Sequence, residues 1–246
     1  MFSLKRAPCH PILSIILFLF CLSVPLAAAG DFWAKKPYQN WSADETRQML
    51  EESPWATTLT LGSIQSAITS GDSPKNGGYR GEMETNPTIS YNLQFRSAQP
   101  IREAVVRTSQ LNAKYDKMGA EQEAAFDASS AKFLAATFPD RVVVAVTFHA
   151  NVQEYESLLR AYWTRQDLGT LSMTVFLNAG KERLSLVNYG FKDDTFQFTF
   201  PRPKQLNPNE KVGVEFVHPT INVIRQQRVL QEFSLKKMLV NGEPVL

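Results

Sequence analysis

The sequence predicts an α+β domain: a central β-α-β unit built on a buried strand at 142–148, followed by an antiparallel β region in the C-terminal third. Three observations carry this. Residues 142–148 read Val-Val-Val-Ala-Val-Thr-Phe, an uncharged run rich in β-branched side chains, as expected of a strand covered on both faces. On either side of it, apolar residues step by three or four, as on an amphipathic helix. After Gly169 the period changes to two and stays there.

The chain opens with Lys5 and Arg6, an apolar stretch over 12–26 and the small-residue run Ala27, Ala28, Ala29 and Gly30. A basic head, a short apolar core and an A-x-A-like exit are the pattern of a secretory signal peptide over 1–29. The apolar core is shorter than the roughly 18 to 20 residues a spanning helix needs, so no transmembrane helix is expected after cleavage. Phe20 before Cys21 departs from the small residue that lipoprotein processing requires. Lys5 and Arg6 leave with the leader, so the 26 basic residues of the whole chain become 24 against 24 acidic ones. A neutral mature chain gives no electrostatic footprint for nucleic acid. Cys9 and Cys21 leave too, and with them any disulfide, thiolate nucleophile or cysteine metal ligand. Residues 31–246 are long enough for a single α+β domain, with possible lobes at 31–168, helix-rich, and 169–246, β-rich.

Phe32, Trp33, Pro37 and Tyr38 crowd the mature N-terminus and are expected to dock on the body of the domain. Ser42, Ala43, Asp44 and Glu45 form a capping-box pattern that opens a helix over 43–52, stopped by Pro54. A threonine- and leucine-rich strand is expected over 55–61. Glycines and prolines loosen 62–87, and no Gly-Lys-Ser or Gly-Lys-Thr makes a phosphate loop of them. Long loops are often functional, which makes Tyr79, Arg80, Glu82 and Glu84 second-rank candidates. Residues 89–95 alternate as a half-buried strand. Pro100 suits a first helical turn, and helical periodicity runs on to about 136. One unbroken rod of that length would span about 55 Å, against a radius of gyration of about 17 Å for a globule of this size, so a break is expected at Gly119.

After the valine strand, Asn151, Val152, Gln153 and Glu154 resemble a capping box, and Val152, Tyr155, Leu158, Leu159 and Tyr162 mark a helix ending near Arg165. Strand, helix and strand in this order normally give parallel neighbours. Beyond Gly169, alternation at Leu171, Met173, Val175 and Leu177, a turn at Gly180 and Lys181, the phenylalanines 196, 198 and 200, and Val212, Val214 and Phe216 all read as strands. Asn241-Gly242 is a hairpin signal.

No motif carries recognisable chemistry. Only His149 and His218 survive processing, and no metal-ligand spacing exists, so neither a metal nor a cofactor is expected. There is no Gly-x-Ser-x-Gly elbow, and the carboxylate pairs Asp193-Asp194 and Glu51-Glu52 are expected to be solvated. One geometric candidate remains. Were the strands at 89–95 and 142–148 parallel, Arg96 and Ser97 after the first and His149 and Asn151 after the second would share one sheet edge, where ligands bind in open α/β sheets. The competing account makes Ser97 and Asn151 helix caps, with Arg96 and His149 as edge side chains.

Lys36-Pro37-Tyr38, Trp41-Ser42, Ser53-Pro54-Trp55-Ala56, the run from Arg96 through Ser97, Ala98, Gln99, Pro100 and Ile101 to Arg102, and the ending Phe233 to Met238 with Asn241-Gly242 resemble a family of exported bacterial proteins of unknown function. The resemblance is patchy along the mature chain; it implies export and one shared domain, and it brings no activity, cofactor or catalytic residue. The expected function is therefore a non-catalytic binding or scaffolding domain, periplasmic or extracellular, with an envelope or extracellular partner that the sequence does not name. The alternatives are a hydrolase or transferase at an edge formed by Arg96, Ser97 and His149, and a carrier of an apolar ligand between the β layer and the helices.

Overall fold

The structure, a computed structural model, describes residues 32–62 and 86–246. The leader expected over 1–29 and the candidates Tyr79, Arg80, Glu82 and Glu84 lie outside the described residues. The fold is α+β, and all of its strand pairs are antiparallel among the described residues. Strands β1 (Ala56–Gly62), β2 (Thr88–Phe95), β3 (Arg141–Ala150), β7 (Thr195–Pro201) and β6 (Asn188–Lys192) form one sheet in that order. Strands β5 (Glu182–Ser185), β4 (Phe176–Ala179), β8 (Lys211–His218) and β9 (Gln227–Ser234) form a second, and a short hairpin, β10 (Leu239–Val240) with β11 (Glu243–Pro244), closes the chain. The five-stranded sheet thus takes strands from both halves of the sequence.

The two sheets pack face to face. Period-two alternation gives the large sheet an inner face of Ile89, Tyr91, Leu93 and Phe95 on β2, Val142, Val144, Val146 and Phe148 on β3, and Phe196, Phe198 and Phe200 on β7, all buried. Opposite stand Leu177 on β4, Val212, Val214 and Phe216 on β8, and Phe233 on β9. Edge-to-face contacts lock the layers, with Tyr91 5.1 Å from Phe216 and Phe95 4.9 Å from Phe233, ring centre to ring centre.

Among the described residues, four α-helices longer than a single turn attach to this sandwich. Helix α1 (Ala43–Glu51) has the expected capping box: Ser42 Oγ accepts from Glu45 N, while Glu45 Oε2 accepts from Ser42 N. Its Leu50 carbonyl accepts from Asn92 and Gln94 of β2, which seats the helix end on the outer face of the sheet. Phe32, Trp33, Trp41 and Trp55 pack edge-on against one another, so the N-terminal aromatics dock as expected. Helices α2 (Gln99–Asn112) and α3 (Ala120–Leu134) are separated near Gly119, and α4 (Gln153–Thr164) buries Tyr155, Leu159 and Trp163. Trp163 stacks on Phe196 with centroids 4.1 Å apart.

Three sequence expectations are corrected here. Strands β2 and β3 are antiparallel, pairing Ile89 with Ala150 and Phe95 with Val144. The cause is the number of helices between them: α2 carries the chain out, α3 packs against it and brings it back, and β3 starts from the end at which β2 stopped. Helix α4 does cross over, but into the other sheet. The valine strand is also not enclosed by helices on both faces. Val142, Val144 and Val146 face the second sheet, whereas Val143 and Thr147 point to the outer face and are only half-buried. The region after Gly169 begins as a turn of helix (Leu168–Leu171), leaving Met173 exposed, and the β pattern starts at Phe176.

Candidate functional site

The outer face of the large sheet is where side chains are left uncovered. Register sets its rows: Thr58, Asn92, Thr147, Thr195 and Lys192 in one, Ala56, Gln94, Ala145, Gln197 and Gly190 in the next, and Val143, Thr199 and Asn188 in a third. Apart from Lys192 and Val143, these rows are hydroxyls, amides and small residues. Asn92 Nδ2 donates to Thr58 Oγ1 at 3.0 Å, and Thr147 and Thr195 share a hydrogen bond of 2.9 Å. The small residues Ala145 and Gly190 lower the middle row, and a Cβ placed on Gly190 would meet nothing within 4 Å.

A cleft opens at each end of this face. The first, about 690 Å³, lies against the end of α1 and includes Asn92, Gln94, Thr147 and His149. Gln94 is buried; its amide nitrogen donates to Leu50 O and Asn92 Oδ1, while its Oε1 is without a partner among the described residues. The second cleft, about 620 Å³, includes Arg96, Phe133 from α3, Phe138, Val143 and Val187, with Gln197 and Thr199 on its floor.

The four candidates from the sequence divide between the two ends. His149 sits opposite Ser90, while Arg96 follows Phe95, the partner of Val144. Six residues along β3 separate the two positions, about 20 Å at roughly 3.3 Å per residue. His149 is mostly exposed, and its Nδ1 lies 2.9 Å from Glu156 Oε2, which also accepts from Ala150 N. Arg160, one turn further along α4, forks onto Asp194 at 2.5 and 2.6 Å. The hydrogen bond from Arg160 holds the Asp194 carboxyl below the usual range. His149 is therefore one link in a chain of polar contacts that fastens α4 to the sheet. Asn151 caps no helix: its Oδ1 accepts from Thr88 N at 2.8 Å and its Nδ2 donates to Asn86 O, tying down the entry to β2. Ser97 is not a cap either. Its buried hydroxyl accepts from Val143 N at 3.0 Å and extends the β2–β3 ladder past its last strand residue.

Arg96 differs from these three. Among the described residues, ion pairs engage Arg47, Arg107, Arg141, Arg160, Arg183 and Arg228. The half-buried guanidinium of Arg96 takes part in none, and its side chain has no hydrogen bond. Burial draws its pKa below the ordinary arginine value. Neighbouring guanidiniums also lack carboxylate partners. Buried Arg102 donates to the carbonyls of Arg96 and Ser97 and lies 5.3 Å from the Phe138 ring centre, and Arg202 donates to Phe138 O at 3.2 Å. Arg96, Arg102 and Arg202 gather around Phe138, and the ion pair of Arg141 with Asp140, 3.2 Å apart, lines the same cleft.

Sequence reading named Arg96 but missed Phe133, Phe138, Arg202 and the floor residues Gln197 and Thr199. A signal for the floor existed: the residues alternating with phenylalanines 196, 198 and 200 form the opposite face of their strand. Among the described residues no cluster of three or more His, Cys, Asp or Glu could hold a metal, and no helix is long and apolar enough to cross a membrane. Comparison with protein-family models, curated proteins and solved structures gives no match to this chain.

Proposed function

We propose that this chain is an exported, non-catalytic binding domain of the bacterial cell envelope or extracellular space, with the outer face of its large sheet as the working surface. One observation carries the reading: a half-buried guanidinium, Arg96, without an ion pair or hydrogen bond among the described residues, stands in an open cleft whose floor is Gln197 and Thr199. Desolvating a cation without a partner is unfavourable, so such a group is better accounted for as part of a binding site than as structural support. The leader-like start of the chain and its resemblance to exported bacterial proteins support the address. A hydrolase or transferase working through Arg96, Ser97 and His149 together loses its geometry, since the antiparallel register sends them to opposite ends of the sheet.

The test uses native mass spectrometry of protein isolated gently from its producing cells. The wild-type protein is expected to carry a small molecule that Gly190→Trp, which sets a large side chain in open space beside Gln197 of the second cleft, does not retain. Equal retention by both proteins, or none by either, together with turnover on a broad substrate panel, would overturn the reading.

A further inference from the structure

We infer that the cleft at Arg96 takes a carboxylate with an apolar body, an aryl- or alkyl-carboxylic acid; this rests on the binding-domain reading and names the ligand. The cleft has two kinds of wall. Phe133, Phe138, Val143 and Val187 are apolar, and Phe133 and Val187 remain 39% and 51% exposed. Covering such surface contributes roughly 25 cal/mol per Å². The polar wall is Arg96, with the ion pair of Arg141 and Asp140, the amides of Asn188 and Gln197 and the hydroxyl of Thr199.

A guanidinium presents two parallel N–H donors in a plane, which matches the two oxygens of a carboxylate. Its hydrogen bonds to the ligand would replace the water lost on burial. The ligand carries one charge rather than several, because Arg96 is the lining guanidinium without an ion pair among the described residues, Arg141 lying 3.2 Å from Asp140. Arg102 and Arg202 add a positive field from outside the cleft lining, each with one guanidinium nitrogen donating to backbone carbonyls. Arg96, which lines the cleft, is the group that meets the anion. Arg102, by holding the carbonyls of Arg96 and Ser97, acts as a positioning residue for it.

The experiment measures binding of 4-phenylbutyrate, 4-phenylbutanol and acetate to the purified protein by titration calorimetry. 4-Phenylbutyrate should bind saturably and more tightly than the alcohol, which has the body without the charge, or acetate, which has the charge without the body. Arg96→Met should weaken 4-phenylbutyrate by about tenfold or more, the usual worth of a charged hydrogen bond, and leave the alcohol within about twofold. Because the Arg96 side chain makes no hydrogen bond or ion pair among the described residues, the melting temperature of the variant should hold. Equal binding of acid and alcohol, or an unchanged acid affinity in Arg96→Met, would overturn the assignment of a carboxylate. So would a lack of saturable binding by the wild type. None of these results touches the comparison with Gly190→Trp, so the ligand class can fail while the binding face stands.

Discussion

Tyr91 and His218 meet between the two sheets, where both side chains are buried. Tyr91 Oη lies 2.7 Å from His218 Nδ1, and Nε2 has no partner among the described residues. Burial raises the Tyr91 pKa, which keeps the phenol neutral, and lowers that of His218 from 6.5 to about 4. The unfolded chain therefore binds this proton more tightly than the folded one. Stability should be complete above about pH 6.5, decline as pH falls, and finish losing this contribution, up to about 3 kcal/mol, near pH 4. Denaturant titrations from pH 7.5 to 3.5 would show it, and His218→Phe should flatten the curve over that interval; an unchanged slope would exclude His218 as its source. At pH 7.5, Tyr91→Phe strands a buried imidazole nitrogen and should cost about 1 to 3 kcal/mol. None of this was legible in the sequence. His218 stood out only as one of two histidines left after processing, and its burial depends on the pairing of β8 with β4 and β9.

Among the elements, those with local chemistry were the easiest to read. The Ser42 capping box, the break at Gly119 and the Asn241-Gly242 turn, with both residues at positive φ, all formed as their side chains dictate. Ser42→Ala should cost about 1 kcal/mol in chemical denaturation. The pair Asp193-Asp194 turns out to be the two-residue turn between β6 and β7, with φ of 51° and 57°. Both residues sit where glycine or asparagine is preferred. Asp193→Gly should therefore stabilise by about 0.5 to 1 kcal/mol, whereas Asp194→Gly, which also removes the fork from Arg160, should gain less. Thermal melts of the two variants separate these outcomes. Helix α3 is the contrasting case: it formed where the periodicity placed it, yet it buries no residue. In hydrogen exchange its amides should be lost before those of α4, which anchors Trp163 in the core, and well before those of β2, β3 and β7.

At the scale of the molecule, the export proposed above rests on residues 1–29. It predicts a product that begins near Gly30 and lacks both cysteines, which intact-mass measurement and thiol titration of the periplasmic or culture fraction would establish; a full-length cytoplasmic product would exclude export. The sequence by itself determined the element types, most of their boundaries, the C-terminal antiparallel region and the neutrality of residues 30–246. These follow from 2.0 and 3.6 periodicity, capping residues and turn residues, all interactions within a few positions. Only the tertiary structure decided that β2 and β3 run in opposite directions, that β6 and β7 join the N-terminal strands, and that Arg96 stands in a cleft with Phe133 and Phe138 while His149 lies about 20 Å away. Strand direction depends on where the α2–α3 pair returns the chain. That is set by the packing of segments dozens of residues apart, and no local pattern encodes it.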